Sequence, residues 1–66
     1  MSVNKIEMAE SLVKLLVPAL KVISNGGPTA SKLAKAEGTR DQVMIVASHY
    51  DIVDLVLSEA RAKLAK

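Results

Sequence analysis

The chain of 66 residues contains no cysteine, phenylalanine or tryptophan, and it has one histidine and one tyrosine. Without cysteine it has neither a disulfide scaffold nor a thiolate zinc site. The single His49 cannot supply the several converging ligands that a metal site needs. One tyrosine gives no stacking platform of the kind that single-strand nucleic-acid binders use. The sequence therefore predicts no metal and no cofactor, and a core built from aliphatic residues.

Long hydrophobic runs are also missing. The longest apolar stretches, residues 15–20 and 43–47, are far shorter than the ~20 residues of a bilayer-spanning helix. The N-terminal segment mixes Lys5 with Glu7 and Glu10 and is not typical of a signal peptide. We therefore expect a cytoplasmic protein with no membrane partner.

The length of the chain limits its stability as a monomer. A domain of this size buries a smaller share of its surface than larger domains do. Small domains compensate with disulfides, a structural metal or self-association. Because this composition provides neither disulfides nor a structural metal site, self-association is the expected source of additional stability.

Capping residues and turn residues divide the chain into three helical segments. Asn4, with Glu7 three residues later, has the spacing of a capping box, and residues 25–28 read Asn-Gly-Gly-Pro, which ends a helix. Gly38 is expected to end the second segment, and Thr39 to cap the third. The prediction is one all-α domain over residues 1–66. Its helices cover about 4–24, 29–37 and 40–65, and the short middle helix connects the two long ones.

Two apolar faces are predicted on the third segment, and one partner helix cannot cover both. We expect two helical hairpins to pair into a homodimer that resembles a four-helix bundle. The alternative is a three-helix monomer in which segment 29–37 covers the second face. The residues predicted for self-association are Leu16, Leu20, Tyr50, Val53 and Leu57. The second contact face is predicted at Met44, Ile45, Ile52, Leu55 and Val56.

Catalytic residues are scarce in this sequence. Asp51 lies two residues after His49, so the two side chains point apart on a helix. Asp51 and Asp54 share a face, but no further acid or histidine joins them, and a solvated face is the simpler interpretation. The sequence therefore predicts no enzymatic activity.

Residues 29–47 carry the one motif that the sequence suggests. Residues 30–38 resemble the first helix and turn of the helix-turn-helix motif, with Gly38 four residues after Ala34. The resemblance implies a DNA-binding regulator in which Lys32, Lys35 and Arg40 contact phosphates. It weakens after the turn, where a small apolar residue is expected and Thr39 stands.

The expected function is therefore a small non-enzymatic helical protein that associates with itself and with a partner protein. Regulators or inhibitors of host complexes that phages and mobile elements encode have this size, an analogy of scale alone. The helix-turn-helix regulator is the first alternative. A self-assembling filament or coat subunit is the second, because a subunit with two adhesive faces propagates when its contacts do not close.

Overall fold

The computed structural model describes residues 4–65, and it confirms the all-α fold class. Three helices cover this range: α1 (Lys5–Ser24), α2 (Ala30–His49) and α3 (Val53–Leu64). No strand occurs among the described residues. Within the same range, no helix has the length and apolar character needed to cross a membrane.

Both ends of α1 are capped by hydrogen bonds. The Asn4 side chain accepts hydrogen bonds from the backbone N–H groups of Ile6 and Glu7, at 3.0 and 3.2 Å. At the other end, Gly26 donates to the carbonyl of Ile23 and Gly27 to that of Val22. This pair of bonds is a Schellman motif. Because both glycines have positive φ angles, of 78° and 74°, the chain turns sharply and α2 returns along α1.

The predicted break at Gly38 is wrong, because α2 continues through it. Thr39 does not cap a new helix; its hydroxyl donates back to the carbonyl of Lys35, at 3.1 Å. A glycine inside a helix costs only about 1 kcal/mol relative to alanine. The burial of Ala36, Val43 and Ala47 along the same helix offsets that cost. The predicted helices 29–37 and 40–65 are therefore replaced by α2 and α3.

Replacing Gly38 by alanine tests this correction. A Cβ at Gly38 would meet no atom within 4 Å, so alanine adds helix propensity without a clash. We expect the free energy of unfolding to rise by about 0.5–1 kcal/mol, measured by urea denaturation. A loss of stability would show instead that Gly38 ends a helix in a left-handed conformation.

The true break lies at residues 50–52, inside the segment predicted as one helix. Asp51 has a φ of 58°, a conformation that aspartate tolerates better than most residues. It donates to the carbonyl of Ser48, and Ile52 donates to that of Ala47, at 3.1 and 2.8 Å. These bonds form a second Schellman motif. The segment predicted as one long helix is therefore divided between α2 and α3, and the predicted second face is split, with Met44 and Ile45 in α2 and Leu55 and Val56 in α3.

The central helix of the fold is α1, which contacts both α2 and α3, whereas α2 and α3 touch each other little. The first residues of α3 lie near Lys5, and Leu64 lies near Leu20, so α3 runs parallel to α1. The molecule is flattened, with dimensions of 42 × 24 × 14 Å. Small and aliphatic residues from the three helices and from the turn before α3 form the core: Ala9, Leu12, Val13, Leu16, Val43, Ala47, Ile52, Val56 and Ala60.

Candidate interaction surface

Most residues predicted for self-association contact the core of their own chain. Leu16 is 1% exposed and is one of the largest fully buried side chains. Leu20, Tyr50 and Val53 are half-buried and pack against the core. Leu57 is half-buried as well. In this conformation Leu16 is used within the chain and is not available to a second copy.

The residues of the predicted second contact face differ from one another in exposure. Ile52 and Val56, 4% and 0% exposed, belong to the core, because α3 folds back onto α1. Met44 and Leu55 pack against that core while half-buried. Ile45 alone points outward, 62% exposed. The structure therefore does not bring these five residues together as one exposed face.

Of the predicted phosphate-contacting residues, Lys32 and Lys35 are exposed on α2. Arg40 is half-buried, and its guanidinium forms an ion pair with Asp41, at 3.1 Å. The helix-turn-helix interpretation requires a turn near Gly38, and α2 has none there. The basic residues therefore lie along a single helix, without the two-helix geometry that the motif uses to enter a major groove.

The residues weighed for catalysis are exposed. His49, Asp51 and Asp54 lie on the surface, and the rings of His49 and Tyr50 are nearly perpendicular, with their centroids 4.9 Å apart. Among residues 4–65, no group of three or more histidine or acidic side chains is placed to hold a metal ion.

An apolar hollow lies between α1 and α2, and we call it the α1–α2 groove. It has a volume of 330 Å³. Its walls are Leu15, Pro18, Ala19 and Val22 from α1 and Lys32, Lys35, Ala36 and Thr39 from α2.

Local structure explains why this groove stays open. Ala19 and Ala36 are small, so the two helices approach each other without filling the space above their contact. Pro18 adds a compact ring to one wall and has no N–H to donate. The Thr39 hydroxyl donates a hydrogen bond within α2. The methyl group is therefore the part of this side chain that is left to line the groove. Leu15 borders the groove while 58% exposed.

The charges at the groove are positive. Lys32 and Lys35 supply its two ionisable side chains. The one ion pair found within residues 4–65 joins Arg40 to Asp41, so neither lysine has an ion-pair partner in that part of the chain. An apolar floor with an unpaired basic rim suits a partner surface that is uncharged over the floor and acidic at the rim.

A second hollow, between α1 and α3, differs in chemistry. It is lined by Glu10, Lys14, Glu59, Ala62 and Lys63 and measures 360 Å³. Both signs of charge are balanced there, and the lining side chains interact as well with water as with a partner. The α1–α2 groove is therefore the better candidate for a contact that depends on apolar burial.

The sequence analysis did not predict this groove or the exposure of Leu15 beside it. A signal was present: Glu7, Ser11, Leu15, Pro18 and Val22 are spaced by three or four residues and form one stripe along α1. The sequence analysis placed Leu16, and not Leu15, among the contact residues. The stripe becomes recognisable only when the path of α2 beside it is known.

Comparison of the chain with protein-family models, with curated proteins and with solved structures found no match.

Proposed function

We propose that the protein works without catalysis, by associating with itself and with a partner protein, in the manner of a small regulator or inhibitor. The observation that carries this proposal is the α1–α2 groove, where Leu15 is 58% exposed beside an apolar floor. Contiguous apolar surface with a polar rim is typical of protein contact sites. The chain has few other ways to gain stability, because it has no cysteine.

The proposed homodimer joins the α1–α2 pair of one copy to that of a second copy. Two such pairs meeting at their grooves form a four-helix packing of the kind found in bundles. In that assembly α3 lies outside the four helices, since it packs against α1 from another side. The predicted four-helix arrangement is kept in this proposal, with different helices and different contact residues.

Replacing Leu15 by glutamate tests the proposal against a matched control. Ile45 has a similar exposure, 62% against 58% for Leu15, but it lies about 120° around α2 from Thr39 and outside the groove. Leu15→Glu places a charge in the proposed contact and loses about 2 kcal/mol of apolar burial in each copy. We expect the dimer dissociation constant to rise by at least about 100-fold for Leu15→Glu and to change little for Ile45→Glu.

Light scattering on both variants and on the unchanged chain provides the readout. Equal effects of the two substitutions would contradict the groove as the contact. Masses that grow without limit in the unchanged chain would favour the filament or coat alternative. Binding to duplex DNA that depends strongly on salt, and that is lost when Lys32, Lys35 and Arg40 become alanine, would favour the regulator alternative.

A further inference from the structure

The stripe of Glu7, Ser11, Leu15, Pro18 and Val22 along α1 has a different chemistry in its two halves. Leu15 lies at its middle. Toward the N-terminus the stripe continues through Ser11 to Glu7, both exposed, and toward the C-terminus it passes Pro18 and ends at Val22. At 1.5 Å per residue, Glu7 lies about 12 Å from Leu15 on one side and Val22 about 10 Å on the other.

Only the C-terminal half of this stripe borders the groove. Because α2 returns along α1 after the turn, Lys32 near the start of α2 lies at the Val22 end of the groove, and Thr39 lies at the Leu15 end. One half of the stripe therefore forms a wall of an apolar hollow with a basic rim. The other half is a ridge of small and acidic side chains.

We propose that the α1–α2 groove is filled by the N-terminal half of α1 from a second copy of this chain, with the twofold axis passing near Leu15. The inference rests on the proposed self-association and adds its register. An antiparallel pairing of two α1 helices about this axis carries Glu7 of one copy to the level of Val22 in the other. There it meets the Lys32 and Lys35 side chains. Ser11 arrives above Ala19 and Ala36, where a small side chain fits.

Charge complementarity favours this occupant. Within the part of the chain that the structure describes, the only ion pair is Arg40 with Asp41. Glu7 and the two lysines thus have no ion-pair partner there. The proposed register gives each of them a partner of opposite sign, twice per dimer. Opposite charges of this kind fix the register of a contact more than they add affinity.

The exposed area of the chain also favours a second copy as the occupant of the groove. The chain exposes 4762 Å², whereas a compact monomer of its mass exposes about 4,000 Å². The excess of roughly 700 Å² is close to the ~800 Å² that each partner contributes to a stable interface of standard size. The surface left open by the flattened fold is therefore sufficient for a dimer.

Charge reversal tests the register directly. One variant carries Glu7→Lys, and a second carries Lys32→Glu together with Lys35→Glu. Each homodimer then places like charges together, and we expect its dissociation constant to rise about 10-fold at low salt. When the two variants are mixed, every contact at this position joins opposite charges again. The mixture is expected to form a heterodimer about as tight as the unchanged dimer.

Glu10→Lys is the matched control for the first variant. Glu10 lies on the same helix, at the hollow between α1 and α3, so its reversal is expected to leave dimerisation unchanged. Circular dichroism of each variant establishes that the helices are retained. The heterodimer test also distinguishes a lost contact from a damaged fold, because a damaged chain does not recover on mixing.

A single-cysteine experiment tests the position of the axis. The chain has no cysteine, so Leu15→Cys and Ile45→Cys each introduce the only thiol. In two helices packed 8–10 Å apart, facing Cα atoms approach to about 5 Å, within the range that a disulfide spans. Under mild oxidation we expect a fast disulfide dimer from Leu15→Cys and a slow one from Ile45→Cys.

The results separate the register from the self-association on which it rests. Preferred heterodimers together with fast Leu15→Cys crosslinking support the inference. Dimers that are disrupted by Leu15→Glu but show no heterodimer preference overturn this register and leave the self-association standing. A chain that stays monomeric, and binds an unrelated acidic amphipathic peptide in the groove instead, overturns the second copy as the occupant.

Discussion

Replacing Leu16 by alanine is expected to lower the free energy of unfolding by about 3 kcal/mol. Leu16 is 1% exposed and is the largest of the fully buried side chains. The truncation leaves a cavity between helices whose other contacts are mostly alanine and valine, and these short side chains cannot extend into it. A domain of this length has a free energy of unfolding of only about 3–10 kcal/mol. The variant therefore loses a large part of that free energy.

The matched control is Leu15→Ala, the same change one residue earlier on the same helix. Leu15 is exposed, and we expect a loss of at most about 0.5 kcal/mol. Both variants are compared by urea denaturation at a concentration low enough for the chain to be monomeric. A loss of the same size in the two variants would contradict the assignment of Leu16 to the core and Leu15 to the surface.

Replacing Gly27 by alanine is expected to cost about 2 kcal/mol or more. Gly27 has a φ of 74°, which is unfavourable for any residue with a Cβ. An alanine Cβ would also lie 2.8 Å from the Cβ of Leu33 and 3.3 Å from its Cα. Since the Cβ of Leu33 is fixed to the backbone of α2, relief requires the first turn of that helix to move.

Gly26 provides the control for this second prediction. Its φ of 78° is nearly the same, but a Cβ there would meet no atom within 4 Å. Gly26→Ala therefore carries the backbone cost alone, about 1 kcal/mol. Thermal unfolding of the two variants measures the difference. If Gly26→Ala proved as destabilising as Gly27→Ala, the close approach of α2 to the turn would be disproved.

The all-α fold class and the caps of α1 were predictable because their signals are local. Asn4 accepts from the first turn of α1, and Gly26 and Gly27 adopt the positive φ angles that glycine favours. Each of these residues acts through bonds to its near neighbours in sequence. Local chemistry was sufficient there, and no knowledge of the packing was needed.

The boundary between α2 and α3 was not predictable by the same reasoning. Gly38 and Thr39 have the residue types of a helix stop and a cap, yet they lie inside α2. Asp51 has a weaker turn signal, yet it adopts the left-handed conformation. The local conformational preferences for ending a helix at Gly38 and for ending it at Asp51 differ by about 1 kcal/mol. Burial of Ile52 and Val56 against α1 outweighs it, and that burial is a property of the whole fold.

The candidate site was only partly accessible from the sequence, for a related reason. Much of the circumference of α1 is apolar, so periodicity does not tell which of the adjacent leucines, Leu15 or Leu16, faces the core. The path of α2 decides this. The prediction of self-association followed from the size and composition of the chain. The residues proposed to carry it required the structure.

The mass of the unchanged chain in solution tests the central proposal most directly. Light scattering across a concentration series, at low and moderate salt, separates a monomer from a dimer. The proposal predicts a mass that rises with concentration and levels off at twice the 7.0 kDa of the chain. A mass that stays at 7.0 kDa at every concentration would contradict it.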